Sequence, residues 1–118
     1  MRLILSSLLT FLVFNLNAQT KEEKWNKYIT SFQDALVKKD NIKLISLIAP
    51  TLEAEGISNT EWASRILTDK TEISKIKKAL ASKNSKGIGH DKMKCYQSFC
   101  LYFDYKNNKW LLVDSFED

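Results

Sequence analysis

The stretch CLYFDYKNNKWLLVDSFED, residues 100–118, decides the fold that the sequence predicts. Its aromatic and aliphatic residues are typical of β-strands, and the Asn-Asn pair at 107–108 predicts the two-residue loop of a hairpin. With that loop, Tyr105 faces Trp110 and Phe103 faces Leu112 across the two strands. One face of the hairpin then carries five apolar residues: Leu101, Phe103, Tyr105, Trp110 and Leu112.

Residues 21–38 predict a helix whose apolar face covers this hairpin. Four apolar residues recur at steps of 4, 3 and 4, namely Trp25, Ile29, Phe32 and Leu36. That spacing places them on one face of a helix, and Tyr28 with Ala35 widens the stripe.

Capping residues predict three further helices between this helix and the strands. Asp40 caps a short second helix, which Pro50 stops because the residue before a proline avoids the α region. Ser58 with Glu61 has the spacing of a capping box, and Asp69 with Glu72 repeats it before an amphipathic helix that ends near residue 82. Residues 51–57 predict either a short strand or an irregular connection.

The order of these elements predicts an α+β fold. N-terminal helices pack on a C-terminal curved antiparallel sheet or meander, and residues 19–118 form a single domain. The length allows one core of modest size.

The N-terminal segment has the layout of a secretory signal peptide. Arg2 precedes an apolar run over residues 3–16, and the small residue Ala18 follows. The run of about 14 residues is shorter than the roughly 20 that a membrane span needs. We therefore expect cleavage after Ala18, export to the periplasm or the medium, and no stable membrane span in the mature chain. Because Leu16 stands where a smaller residue is preferred, an uncleaved anchor is the alternative.

The mature chain is mildly basic. Its formal charge falls from +4 to +3, because Arg2 is the one charged residue in the segment that is removed. Lysines are concentrated between residues 75 and 94, where Asp91 is the one acidic residue. Such a run is either a solvated helix face or a surface for an anionic partner. Export argues against nucleic acid as that partner.

Cys95 and Cys100 bracket the sequence CYQSFC and are the two cysteines of the chain. If Gln97 and Ser98 form a two-residue turn, the cysteines lie opposite each other in a pair close enough for a disulfide. A thioredoxin-like redox pair requires two intervening residues, and a zinc site requires further ligands such as His90. We expect a disulfide that pins one hairpin, although Gln-Ser is a poor turn and a slightly longer loop would serve.

The sequence carries no recognisable catalytic motif. His90, the one histidine, lies beside Asp91 in a loop at residues 87–91, and Asp104 and Asp114 project from predicted strands. No phosphate-binding loop, paired-histidine metal motif or nucleophile elbow is present, so no cofactor or metal is expected.

Four residues are candidates for a ligand pocket. The chain is rich in aromatic residues, which anchor many interfaces and apolar ligand sites when they are exposed. The candidates are His90, Tyr102, Trp110 and Trp62.

Two segments resemble the NTF2-like, or SnoaL-like, superfamily of cone-shaped α+β domains. WNKYITSFQDALVKKDNIKLISLIAP, which begins at Trp25, is similar to the superfamily's opening helices, and CLYFDYKNNKWLLVDSFED is similar to its last hairpin. The resemblance implies a curved sheet under a long helix, but residues 58–82 depart from the pattern and no catalytic residue carries over. The signal-peptide ending NAQ also resembles those of exported proteins from the Bacteroidetes.

Three functions follow as hypotheses. The first is an exported, non-catalytic domain that binds a protein partner or a small apolar ligand at the sheet. The second is an NTF2-like cone enzyme in which His90 or Asp104 is a general base in a closed cavity of about 300 Å³ or more. The third is an inhibitor or immunity-type protein that uses the basic segment at 75–94 against an acidic partner.

Overall fold

The computed structural model describes residues 19–87 and 89–117. The predicted signal peptide lies outside the described residues. Four helices precede a three-stranded antiparallel sheet, so the α+β prediction is confirmed. The helices are α1 (Lys21–Lys38), α2 (Asn41–Ser46), α3 (Asn59–Leu67) and α4 (Lys70–Leu80). The strands are β1 (Thr51–Leu52), β2 (Ile57–Ser58), β3 (Lys92–Tyr96), β4 (Phe99–Lys106) and β5 (Lys109–Glu117).

Side-chain caps start the helices where the sequence predicts. The side chain of Asp40 accepts from the backbone N–H of Lys43, Ser58 accepts from Glu61, and Asp69 accepts from two N–H groups of the first turn of α4. Each cap satisfies a donor that the helix itself leaves unpaired. Residues 51–57, which the sequence left open, contain β1 and the start of β2, two short paired strands that a turn at 53–56 joins.

The sheet is a meander in the order β3-β4-β5 with the predicted register. Tyr105 pairs with Trp110 and Phe103 with Leu112 around residues 107–108. Both asparagines of that turn have positive φ, as a type I′ hairpin requires. Leu112 also exchanges backbone hydrogen bonds with Leu47 and Ala49, which extends the sheet by one parallel bridge.

Helix α1 packs on the predicted apolar face of the sheet, the inner face. The ring of Trp25 meets Phe103 and Trp110 edge-on, with centroid distances of 5.0 and 4.7 Å. Trp110 Nε1 donates to the backbone oxygen of Lys21, which joins the two elements a second time. The buried side chains form one hydrophobic cluster that runs from Trp25 to Leu112.

A β-bulge in β5 changes the alternation of side chains after Leu112. Phe103 pairs with Leu112 but Tyr102 pairs with Asp114, which leaves Val113 as the extra residue. Asp114 therefore shares the outer face of the sheet with Tyr102. Phe116 lies on the same face, opposite Cys100.

Candidate functional site

A cleft of about 330 Å³ lies on the outer face of the sheet. We call it the outer-face cleft, and its lining residues are Lys86, His90, Met93, Tyr102, Asp114 and Phe116. Three of the six are large apolar or aromatic residues and three carry polar or charged groups. Of the four candidate ligand residues, the structure brings His90 and Tyr102 together here, with ring centroids 5.2 Å apart.

The loop before β3 forms one wall of this cleft. Ser85 and Met93 exchange two backbone hydrogen bonds, which hold the loop against the sheet. Gly87 is buried under Tyr102, and a Cβ atom at this position would lie 3.2 Å from Tyr102 Cδ1. The close approach of backbone and ring thus depends on a residue without a side chain.

His90 is fixed by a carboxylate that is distant in sequence. Its Nδ1 lies 3.1 Å from Oδ2 of Asp104, and both side chains are largely buried. Because an ionised carboxylate only accepts, Nδ1 carries the proton in this bond. Nε2 has no hydrogen-bond partner within residues 19–87 and 89–117. The imidazole is therefore oriented from one side, by Asp104.

Asp91, the neighbour of His90 in sequence, has a structural role. Its backbone N–H donates to Oδ1 of Asp104, and its own Oδ2 accepts from the backbone N–H of Tyr105. These two bonds, both 2.9 Å, fasten the start of β3 to β4. Asp104 thus uses one oxygen for His90 and the other for the backbone.

Asp104 and Asp114 both lie on the outer face but bind different groups. Oδ1 of Asp114 accepts from the backbone N–H groups of Ala54 and Ser115. Asp114 ties the connection between β1 and β2 to the sheet, whereas Asp104 holds the loop before β3. The two carboxylates therefore hold two different segments against the sheet, and their hydrogen bonds share no partner.

Trp62 and Trp110 are core residues. Trp62 is 1% exposed and Trp110 is 3% exposed. The indole N–H of Trp62 donates to Oγ of Ser115 at 3.1 Å. Lys92 and Lys21 lie over the ring of Trp110, at 5.9 and 5.2 Å from its centroid. Trp62 reaches the wall of a separate polar depression near α3, and neither indole lies in the outer-face cleft.

Cys95 and Cys100 form a disulfide, so that prediction is confirmed. They pair directly across the hairpin, with Cα atoms 4.1 Å apart, and the loop is the two-residue Gln97-Ser98 turn. Gln97 has a φ of 55° and enters the left-handed region that its residue type disfavours. Since the two sulfurs are bonded to each other, they are not free to ligate a metal. Among the described residues, no three His, Cys, Asp or Glu side chains form a potential metal cluster.

The basic segment at 75–94 is only partly a free charged surface. Lys75 pairs with Glu72 and Glu117, and Lys92 pairs with Glu22. Lys94 is buried and donates to the backbone oxygen of Ser82 at the end of α4. Burial lowers the pKa of Lys94, and the nearby charge of Lys92 lowers it further. The exposed cations of this segment are therefore Lys77, Lys78, Lys83 and Lys86.

The sequence missed Met93, Lys86 and Phe116 as residues of the site. An unbroken β4–β5 ladder would place Phe116 on the inner face, and the bulge at Val113 is what brings it to the outer face with Tyr102. In the part of the chain that the structure describes, no helix is both long and apolar enough to span a bilayer.

No protein-family model, curated protein or solved structure matches this chain. The NTF2-like resemblance therefore stays a prediction.

Proposed function

We propose that this protein is a small exported binding domain without catalytic activity, and that it holds a small apolar ligand, or an apolar side chain of a partner, in the outer-face cleft. The observation that carries the proposal is the lining of the cleft. Met93, Tyr102 and Phe116 supply apolar surface, and the imidazole of His90, which Asp104 orients, supplies a polar group. This combination of apolar walls and a few oriented polar groups is typical of ligand sites.

The exposure of Phe116 supports a binding role. Phe116 is 49% exposed and is one of three large apolar residues of the described chain with high exposure. Large aromatic residues that an occupant desolvates contribute much of the free energy of binding. The cleft volume lies at the lower end of the range for small-molecule sites, which runs from about 300 to 1,000 Å³.

Export is part of the proposal and is supported by the disulfide. A bond between Cys95 and Cys100 is expected to persist in an oxidising compartment and to be reduced in a cytosol. Intact-mass measurement of protein recovered from a bacterial periplasm tests this directly. A mass that begins at Gln19 and rises by two hydrogens on reduction supports export with a disulfide. A full-length chain with two alkylated thiols contradicts both.

A neutral fluorescent probe, N-phenyl-1-naphthylamine, tests binding in the cleft. We expect saturable binding to residues 19–118, and a loss of at least about fivefold in affinity in Tyr102→Ala and in Phe116→Ser, as for residues that anchor an interface. Ile42→Ser is the matched control, because Ile42 is an exposed apolar residue outside the cleft. Equal affinity in all variants, or an absence of saturable binding, would refute the cleft as the site.

The second candidate function is an enzyme with His90 as the general base, and the contact between His90 and Asp104 favours it. A histidine that a carboxylate orients through Nδ1 can accept a proton at Nε2. Against it, the cleft opens to solvent beside Phe116, so reacting charges would stay hydrated. Turnover of any ester or lactone substrate that is lost in His90→Gln and retained in Tyr102→Phe would replace the binding proposal with this one.

A further inference from the structure

The turn between α1 and α2 has the most exposed apolar residues of the described chain. Val37, in the last turn of α1, is 64% exposed, and Ile42, in the first turn of α2, is 83% exposed. Isolated apolar residues are common on protein surfaces and need no explanation by themselves. These two flank one turn, five residues apart, and lysines surround them.

The lysines belong to this turn and to the neighbouring face of α4. Lys39 and Lys43 lie on the two sides of Ile42 in the chain, and Lys70 and Lys77 face Val37 across a groove of about 290 Å³. We call this surface the lysine corner, and its residues are Val37, Lys39, Ile42, Lys43, Lys70 and Lys77.

The four lysines of the corner are free to bind an anion. None of them forms an ion pair within residues 19–87 and 89–117. The groove between α1 and α4 has Leu36 and Ile73 as its floor and has no carboxylate in its lining. Apolar side chains and unpaired cations therefore share one surface.

The carboxylates nearest in sequence are already engaged. Asp34 pairs with Lys38 at 3.1 Å. Asp40 and Asp69 each accept a backbone N–H group at the start of a helix, where the positive end of the helix dipole offsets their charge.

We infer that the lysine corner docks this protein on the anionic surface of a phospholipid bilayer. Val37 and Ile42 are largely exposed, and a deformable bilayer accommodates such side chains without a matching pocket. Aliphatic side chains that enter the interface, together with lysines that contact anionic headgroups, are the usual elements of peripheral binding. This inference concerns a different surface from the outer-face cleft and does not depend on a ligand there.

Sedimentation with phospholipid vesicles tests the inference on residues 19–118. Two vesicle types are compared, phosphatidylcholine alone and phosphatidylcholine with about one third phosphatidylglycerol. We expect binding to the anionic vesicles at about 0.01 M salt, and weaker binding at about 0.15 M, where the Debye length falls from about 30 to about 8 Å. Equal binding to both vesicle types, or no binding to the anionic ones at low salt, would overturn the inference.

Two double variants distinguish the contribution of the lysine corner to vesicle binding from that of the net charge of the protein. Each lysine close to an anionic surface contributes about fivefold in affinity, so the double variant Lys70→Gln and Lys77→Gln should bind about 25-fold more weakly. The control is the double variant Lys106→Gln and Lys109→Gln, which removes the same charge from exposed positions at the β4–β5 turn. That turn contacts the start of α1, and the corner is at its end, roughly 20 Å away. Equal losses in the two double variants would overturn the inference.

Two further results distinguish a bilayer from a protein partner at the lysine corner. Val37→Ser with Ile42→Ser should weaken vesicle binding, whereas Phe116→Ser, on the outer face, should not. The lipid proposal would be overturned if the protein does not bind vesicles but binds a soluble acidic amphipathic peptide, with NMR amide shifts at Leu36 and Ile73. The lysine corner would then be a site for an acidic protein partner.

Discussion

Removal of the disulfide should destabilise the protein by about 2 kcal/mol without unfolding it. The perturbation is the double variant Cys95→Ala and Cys100→Ala. The bridge joins residues five apart, and a loop this short gains little entropy when its cross-link is removed from the unfolded chain. The chain-entropy relation gives about 2 kcal/mol for it, against about 4.7 kcal/mol for a loop of about 100 residues.

Urea unfolding and hydrogen exchange measure the effect. A loss of about 2 kcal/mol in a domain of this size lowers the melting temperature by roughly 10 to 15 °C. The loss should be local, with faster amide exchange in Tyr96 and Phe99 and unchanged protection in Tyr105 and Trp110, because the β4–β5 hairpin closes through its own turn. Reduction of the wild-type protein should reproduce the change without a substitution.

Two results would refute this reasoning. A loss below about 0.5 kcal/mol, the usual scale of a surface substitution, would mean that the turn at Gln97 forms equally well without the bridge. Loss of protection throughout β4 and β5 would mean that the disulfide supports the whole sheet and not one hairpin.

Three substitutions in the core give further predictions. Ser115→Ala should cost about 1 to 3 kcal/mol in urea unfolding, since it leaves the buried indole N–H of Trp62 without an acceptor; Ser115→Thr, which keeps the hydroxyl, should recover part of the loss. Tyr28→Phe should cost about 1 kcal/mol, because it removes a 2.7 Å hydrogen bond to the backbone oxygen of Leu47; an unchanged urea midpoint would contradict this. Burial lowers the pKa of Lys94, so between the folded and the unfolded pKa the unfolded chain binds more protons than the folded one. The unfolding free energy of the wild type, measured relative to that of Lys94→Met, should therefore rise as the pH rises from 8 to 10. A fall over this range would contradict the prediction.

The hairpins and helix caps could be predicted because their signals are local. Two asparagines at 107–108 fix a turn, the turn fixes the pairing of Tyr105 with Trp110, and the period of α1 then selects the face that it covers. The same reasoning placed Cys95 opposite Cys100. Each of these inferences depends on residues within one element or one turn.

The site could be predicted only in part because its contacts join distant residues. His90 binds Asp104, which is 14 residues away in the chain, and not the adjacent Asp91. Nothing in the sequence near His90 indicates that contact. The predicted inner face already placed Trp110 under α1, yet Trp62 and Trp110 were also candidates for the ligand pocket, because a tryptophan on an amphipathic helix or strand can serve a core or a binding surface.

The β-bulge at Val113 sets which side chains of β5 face the outer-face cleft. Because Val113 is the extra residue, its deletion would make the Phe103–Leu112 and Tyr102–Asp114 pairs consecutive in an unbroken ladder. Phe116 would then keep the outer face and Ser115 the inner face. An unbroken ladder that retained Val113 opposite Tyr102 would instead move Phe116 inward and Ser115 outward, since a shift of one residue in register reverses every side chain. The pairing register after Leu112, and not the number of residues in β5, therefore determines which face binds and which faces the core.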